Sequence, residues 1–361
     1  MSPSDKAAAG RKARVAVIPG DGIGLEVIPE AVKVLTAVCG GGLAITEFDW
    51  GAERFLRDGT TLPEGAPEML RRDFDAVLLG AMGDPRVPTN KHAADILLGL
   101  RFLLDLYVNV RPCVLLDKRL TPLRDRTEED VNFVVFRENT EGLYVGMGGI
   151  FKKGTPDEIA TQEDVNTRKG VERIIRYAFE YARARKLKKL CMSDKSNALT
   201  FGHDLWQRVF KEMKKECPDV EATHMYIDNL VMQMVRDPSQ FQVIVTCNLF
   251  GDIASDLGAQ LAGGLGLAPS GNIHPGKLSM FEPVHGSAPS IAGKNIANPM
   301  GAVLTAAMML EYLGWPEHAR AIDSAVRSAI REGKTTTELG GALGTRQLGD
   351  WLANVAARNT G

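Results

Sequence analysis

VIVTCNLFGDIASD, residues 243–256, is the stretch from which the architecture follows. Its opening, Val243-Ile244-Val245, is β-branched and wholly apolar, as expected of a strand buried on both faces. Beyond Asn248 and Gly251 it continues as Asp252-Ile253-Ala254-Ser255-Asp256, which fits a helix starting at the strand's end. Carboxylates four apart on a helix share one face, one turn above the other. The carboxyl end of a strand is where open α/β sheets bind ligands. Two oxygen donors at such a place suit Mg2+ or Mn2+. A solvated helix face, or partners for the helix dipole, would use the same residues, so this stretch alone leaves the metal open.

Working outward, strand-like runs alternate with helical patterns. Residues 15–18, 43–48, 76–79, 131–136, 187–192 and 222–227 read as strands. Residues 25–38, 95–108, 167–185, 201–216, 300–313 and 317–331 read as helices. This alternation predicts an α/β fold with a mixed, largely parallel sheet and flanking helices. The first strand ends in Pro19-Gly20-Asp21-Gly22-Ile23-Gly24, which invites a dinucleotide fingerprint. The spacing fails, because Leu25 stands where the third glycine belongs. A tight strand-to-helix turn is a better account than classical pyrophosphate binding. Residues 146–162, rich in Gly and Lys without periodicity, read as an arm.

Composition narrows the classes. At 361 residues the chain suits one large or two ordinary domains. A net charge of −2, with both signs mixed along the chain, argues against nucleic-acid binding, which needs a basic face. Five scattered cysteines without a CxxC pair read as reduced thiols. Residues 1–13 have no apolar core, so no signal peptide is expected there. The longest apolar run, 302–310, is too short to span a bilayer. A cytoplasmic protein with no membrane partner is the expectation.

Candidate chemistry gathers at element ends. Lys195, Asp228 and Asp252 each follow a strand, and Arg137 closes another. Arg101 lies in an apolar helical stretch, where its charge needs a partner. Asp105 at i+4 would serve, and so would an anionic substrate. With Arg111 and Arg137, three guanidinium groups suit a di- or tricarboxylate, which each holds bidentately. Lys195 could be an ordinary surface lysine; beside arginines and a divalent cation its pKa would be lowered and it could act as general base. Tyr144 could pack or could donate a proton. Six histidines, none paired at ligand spacing, argue against zinc.

Seven motifs occur in order: PGDGIG (19–24), LRFLLDLYVNVRP (100–112), FRENTEGLYVG (136–146), SDKSN (193–197), DN (228–229), NLFGDIASDL (248–257) and FEPVHGSAPSIAGKNIANP (281–299). In these the chain resembles the β-decarboxylating dehydrogenases of 2-hydroxy acids, the isopropylmalate, isocitrate, homoisocitrate and tartrate/malate enzymes. The resemblance implies their two-domain fold, which is not a Rossmann fold, in agreement with the failed fingerprint spacing. The first, cofactor-binding domain would comprise residues 1–106 and 263–361. The second, 107–262, would carry the dimer interface and the arm. It implies that Arg101, Arg111 and Arg137 hold the substrate carboxylates. Asp252 and Asp256 would bind Mg2+ or Mn2+, with Asp228 and Lys195 reaching the site from the other subunit of a homodimer with shared active sites. Lys195 would take the hydroxyl proton and Tyr144 would protonate the enol. The adenosine of NAD would lie along Glu282, His285, Gly286, Ser287, Ala288, Ser290, Ile291 and Asn298.

Two departures bear on specificity. NAD-using members of the family carry Asp directly after HGSAP and NADP-using members tend to carry Lys-Tyr, whereas this chain has Ser290-Ile291. No added cation is present for a 2′-phosphate, so NAD is favoured. Leu97-Leu98 matches the leucine pair of isopropylmalate enzymes, although the Glu expected three residues earlier is Ala94 and the basic residue expected after Arg101 is Phe102. An extra carboxylate would find no partner among Ile96, Leu97, Leu98 and Phe102. An isopropyl group buried there gains about 0.8 kcal/mol per CH2. The expected reaction is therefore NAD-dependent oxidative decarboxylation of 3-isopropylmalate to 4-methyl-2-oxopentanoate and CO2, as in leucine biosynthesis. The same chemistry on homoisocitrate, isocitrate, tartrate or D-malate is the alternative. A non-catalytic regulatory subunit should have lost a metal carboxylate, Lys195 or Tyr144, and none is missing.

Overall fold

A strand that runs through four consecutive apolar residues needs cover on both faces there, and β1 (Ala13–Ile18) has it. Val15, Ala16, Val17 and Ile18 are all fully buried. The computed structural model describes residues 12–360 and divides into two compact units. One comprises the chain up to Leu106, Val114–Glu128 and the chain from Ala259; the other comprises Tyr107–Cys113 and Glu129–Gly258. Val114–Glu128 thus groups with the first unit.

In the first unit the strand order is β2 (Leu43–Glu47), β1, β3 (Ala76–Leu79), β12 (Ser279–Pro283), β11 (Pro269–Ile273). β1 is parallel to β2 and β3, β3 is parallel to β12, and β11 is antiparallel to β12. Ala16, Ile18, Val77 and Leu79 join one buried cluster with Leu70 of α3 (Ala66–Asp73) and with Ile96, Leu100 and Leu104. Elsewhere α10 (Met300–Tyr312) packs on β3, β11 and β12. Its sequence MGAVLTAAMMLEY is apolar apart from Thr305, Glu311 and the Tyr312 hydroxyl, and every residue but Glu311 is buried, as a largely enclosed helix requires. Beyond it α1 (Gly24–Cys39), α11 (Pro316–Arg331) and α12 (Thr345–Arg358) pack on one another.

The second unit has the order β4 (Val108–Val114), β5 (Asn132–Glu138), β10 (Val243–Thr246), β8 (Lys189–Asp194), β9 (Glu221–Tyr226). From β5 to β9 the strands are parallel, and their register decides where the chemistry falls. Thr246 pairs with Arg137 on one side and Ser193 on the other, and Asp194 pairs with Tyr226. The strand ends that carry Arg137, Lys195, Asp228 and Asp252 are therefore level. α6 (Arg168–Ala184), capped by Thr167 accepting from Gly170 N–H at 3.0 Å, lies on β5, β8 and β10 and against α7 (Gly202–Glu216). α8 (Ile227–Arg236) and α9 (Asn248–Leu261) follow β9 and β10. The excursion contains an antiparallel ribbon of β6 (Gly148–Phe151) and β7 (Ile159–Gln162), exposed at every position.

The fold is thus a mixed, mostly parallel α/β arrangement with flanking helices. The PGDGIG turn is not a phosphate cradle. Its Asp21 and Ile23 N–H groups donate to the carbonyls of Ala81 (2.7 Å) and Ser287 (2.8 Å). Gly22, at φ +55°, lies so close to Ser287 that a Cβ would collide with its backbone. The helix expected over 95–108 runs earlier and stops sooner. α4 (Lys91–Ala93), a π-helical turn Ala94–Leu98 and α5 (Gly99–Leu103) are continuous, and Asp105 turns the chain with φ +52°. α2 (Ala52–Asp58) is a further short helix of this unit.

Candidate active site

Gly251 lets α9 lie directly against Arg137: a Cβ there would stand 2.5 Å from the arginine's Cβ and 2.6 Å from its Cγ. The buried Arg137 is then held in one orientation. Its Nε donates to Asn248 Oδ1 at 2.9 Å and its Nη1 to Asp252 Oδ1 at 2.5 Å. Arg111, buried on β4, brings its Nη1 to 3.2 Å from Asp252 Oδ1 and 3.3 Å from Asp256 Oδ1, and donates to Ser255 Oγ at 2.8 Å. Its Nε is fixed by Asn109 Oδ1 at 2.8 Å. Tyr144 donates its hydroxyl to Asp252 Oδ2 at 2.9 Å, with the Arg137 guanidinium 5.0 Å from its ring centre. Asp252 is therefore the hub that joins two arginines and the tyrosine. Burial pushes the Asp256 carboxyl above its ordinary value, Arg111 opposes this, and Asp252 adds to it.

Two groups not anticipated from sequence shape this cluster. Asn248 also donates to the Glu141 carbonyl at 3.0 Å, so one side chain ties Arg137 to the turn that delivers Tyr144. Glu138, fully buried, accepts from Thr140 N–H and Oγ1 and from Glu141 N–H at 2.7–3.0 Å, closing the same turn. Burial nevertheless raises its pKa. The signal lay in RENTE, where a carboxylate precedes a Thr by two, a local turn-forming pattern.

Lys195 and Asp228 form an ion pair with each other at the ends of β8 and β9. The lysine holds the Asp228 carboxyl below its usual range. Among the described residues of this one chain, neither joins the Asp252 cluster, and no group of three His, Cys, Asp or Glu side chains is arranged to hold a metal. Asp252 and Asp256 supply the hard oxygen donors that Mg2+ or Mn2+ prefers, so the donor chemistry fits; the set within one chain is two.

In the first unit Arg101 is buried and donates from Nη2 to Glu282 Oε1 at 2.7 Å. Asn272 Nδ2 reaches the same oxygen at 2.8 Å. Asp105 faces His274 instead, so the i+4 partner expected from spacing is replaced by one 181 residues away. Leu97 and Leu98 lie in the π-helical turn, half-buried, with Leu97 against the core cluster. His285, Ser287 and Asn298 are buried. The His285 Nε2 and Asn298 Nδ2 atoms have no hydrogen-bond partner, and burial lowers the His285 pKa. Buried, unpaired donor and acceptor atoms on one stretch fit a ligand with ring nitrogens and amines, as an adenine would be. Gly286, Ala288 (φ +41°), Ser290 and Ile291 lie in the turns between them. A cavity of about 440 Å3 is lined by Gly22, Leu25, Gly83, Pro289, Ala292 and Gly293, together with the acids Asp21, Glu26, Glu53 and Asp84 and one cation, Arg86.

Comparison with known proteins agrees with this geometry. The family model described as isocitrate/isopropylmalate dehydrogenase matches residues 14–352. The chain is 49% identical over 352 residues to the 3-isopropylmalate dehydrogenase of Thermobifida fusca (strain YX), covering 96% of this chain and 98% of that one. It is 46% identical to the enzyme of the same name from Streptomyces coelicolor, over 94% of this chain and 99% of the other. Among solved structures, an isocitrate dehydrogenase from Methylococcus capsulatus superposes with a TM-score of 0.86 at 39% identity, covering 96% of this chain and 99% of that chain. This chain belongs to the isocitrate/isopropylmalate dehydrogenase family.

Proposed function

We propose that the protein is an NAD-dependent 3-isopropylmalate dehydrogenase that acts in the cytoplasm in leucine biosynthesis. The observation that carries the reaction class is the convergence of Arg111, Arg137 and Tyr144 on Asp252, with Asp256 one turn away. The relatives named 3-isopropylmalate dehydrogenase and the apolar pair Leu97-Leu98 support the substrate. Arg101, Arg111 and Arg137 are assigned to the carboxylates, and Leu97 and Leu98 to the isopropyl group. Lys195 takes the proton of the C2 hydroxyl as the C2 hydride leaves. The C3–carboxylate bond then breaks to release CO2, and Tyr144 delivers its hydroxyl proton to C3 of the enol. When bound, Mg2+ or Mn2+ at Asp252 and Asp256 supplies Lewis-acid polarisation of the C2 oxygen, and NAD supplies the hydride acceptor.

Glu282, His285, Gly286, Ser287, Ala288, Ser290, Ile291 and Asn298 are assigned to the cofactor, with Glu282 acting through Arg101 in addition. A homodimer supplies the third metal carboxylate, Asp228, and Lys195 from the other copy. Exposed apolar side chains on α8 and α9 (Met232, Val235, Ile253) and on the ribbon (Ile150, Phe151, Ile159) support such an assembly. No described helix is long and apolar enough to cross a membrane. The test is kcat/KM for 3-isopropylmalate, homoisocitrate, isocitrate, tartrate and D-malate with Mn2+, each with NAD and NADP. A tenfold preference for a tricarboxylate overturns the substrate. An absence of NADH formation with all of them overturns the enzyme and points to a regulatory subunit.

A further inference from the structure

Lys195 is held by more than its ammonium. Its backbone N–H donates to Nδ1 of His203 at 2.9 Å, and His203, in the first turn of α7, is buried. Because Nδ1 accepts, the neutral ring carries its proton on Nε2, which faces Asp164 Oδ2 at 3.5 Å. Asp164 lies on the chain returning from the ribbon. It is set by Asn166 Nδ2 at 2.9 Å, and Asn166 Oδ1 in turn accepts from Trp206 Nε1 at 2.8 Å. The ring of Phe250, in α9, closes the other side of the imidazole edge-on at 5.4 Å. On the far side of Lys195 the buried Asp194 accepts from His224 Nε2, Gln207 Nε2 and Ser196 N–H at 2.7–3.1 Å.

We propose that His203, with Asp164 facing its Nε2 side, is a positioning residue that fixes the backbone of Lys195 and so the direction from which its side chain reaches the substrate hydroxyl. This rests on the assignment of Lys195 as the base. A hydrophobic helix position would ordinarily take Leu or Phe; an imidazole with its acceptor aimed at one backbone N–H has a specific partner to serve. Without an acceptor that N–H loses its hydrogen bond, and the loop from 195 to 201 is freed at its first residue.

The two amide isosteres of histidine separate the roles. In His203→Asn the Oδ1 atom stands near the position of Nδ1 and keeps the acceptor. In His203→Gln the polar end stands near Nε2, which keeps the contact with Asp164 and loses the acceptor. Both variants, with Lys195→Met, are assayed with 3-isopropylmalate, NAD and Mn2+, and circular dichroism confirms the fold. His203→Gln is expected to lower kcat about tenfold with KM within twofold, and to enlarge the isotope effect from C2-deuterated substrate. His203→Asn should recover most of the loss. Equal damage in both variants, or wild-type kcat in His203→Gln while Lys195→Met is inactive, overturns the positioning role and leaves Lys195 as base. Wild-type kcat in Lys195→Met overturns the base assignment and the inference with it.

Discussion

Gly251→Ala separates a helix-propensity argument from a site argument, because the two predict opposite signs. In an ordinary helix interior the change stabilises by up to about 1 kcal/mol. At this position the new methyl would stand 2.5 Å from Arg137 Cβ, 2.6 Å from Cγ and 3.1 Å from Cα. Those atoms lie at the root of a side chain pinned by Asn248 and Asp252, so they cannot swing aside as a flexible end would. Overpacking of this kind costs about 1–3 kcal/mol, which exceeds the propensity gain. Relief by tilting α9 would stretch the Arg137–Asp252 contact, a charge-assisted bond worth about 1.5–3 kcal/mol. The expected result is a lowered urea midpoint together with a fall of about 10–100-fold in kcat/KM. The assays are equilibrium unfolding followed by circular dichroism and NADH formation monitored by absorbance. A raised midpoint with unchanged kcat/KM would refute the close-packing argument outright.

Asp252→Asn should nearly abolish turnover and leave the fold intact by circular dichroism; normal activity would mean that the hub is not a metal site. Tyr144→Phe removes the hydroxyl on Asp252 Oδ2, so decarboxylation and enol protonation should slow more than substrate binding, seen as a lower kcat with KM within threefold. Asp256 has a raised pKa in the folded state, so it binds its proton more tightly folded than unfolded. Its contribution is present below the ordinary value of 3.8 and is lost as pH rises through the raised folded value. Asp256→Asn should therefore flatten the decline of the metal-free urea midpoint as pH rises from 3.8 to the raised folded value, and an unchanged slope there would count against the burial argument.

Much of this site is legible in the chain because strand ends of a parallel sheet must lie level. Lys195, Asp228, Asp252 and Arg137 were each recognisable as a polar residue that follows or closes a strand-like run, apolar and β-branched for Asp252 and Arg137. The register Arg137–Thr246–Ser193 converts that pattern into proximity. The family of the chain was legible in its seven motifs. What escaped the reading was set by contacts distant in sequence. Arg101 spans 181 residues to Glu282, and no local spacing announces that partner. The π-helical turn at Ala94–Leu98 adds a residue to a turn that 3.6-residue arithmetic cannot see, so the helix boundaries drawn there were wrong at both ends. His203 was hidden for a different reason: on an amphipathic helix it reads as one more polar residue until its Nδ1 is seen against a backbone N–H.

The pairing of Arg101 with Glu282 clarifies how an arginine can wait in a buried place for an anion. An unpaired guanidinium would be costly there, and a single carboxylate on Nη2 offsets much of that cost. The pairing is incomplete, since Nε is buried with no hydrogen-bond partner. Leaving that buried donor unmet costs about 1–3 kcal/mol. Asn272, on the same Glu282 oxygen, fixes that carboxylate in place. Glu282 thereby holds the Arg101 guanidinium in one orientation. The same carboxylate can then lie in a stretch assigned to the cofactor and still serve the substrate side of the reaction.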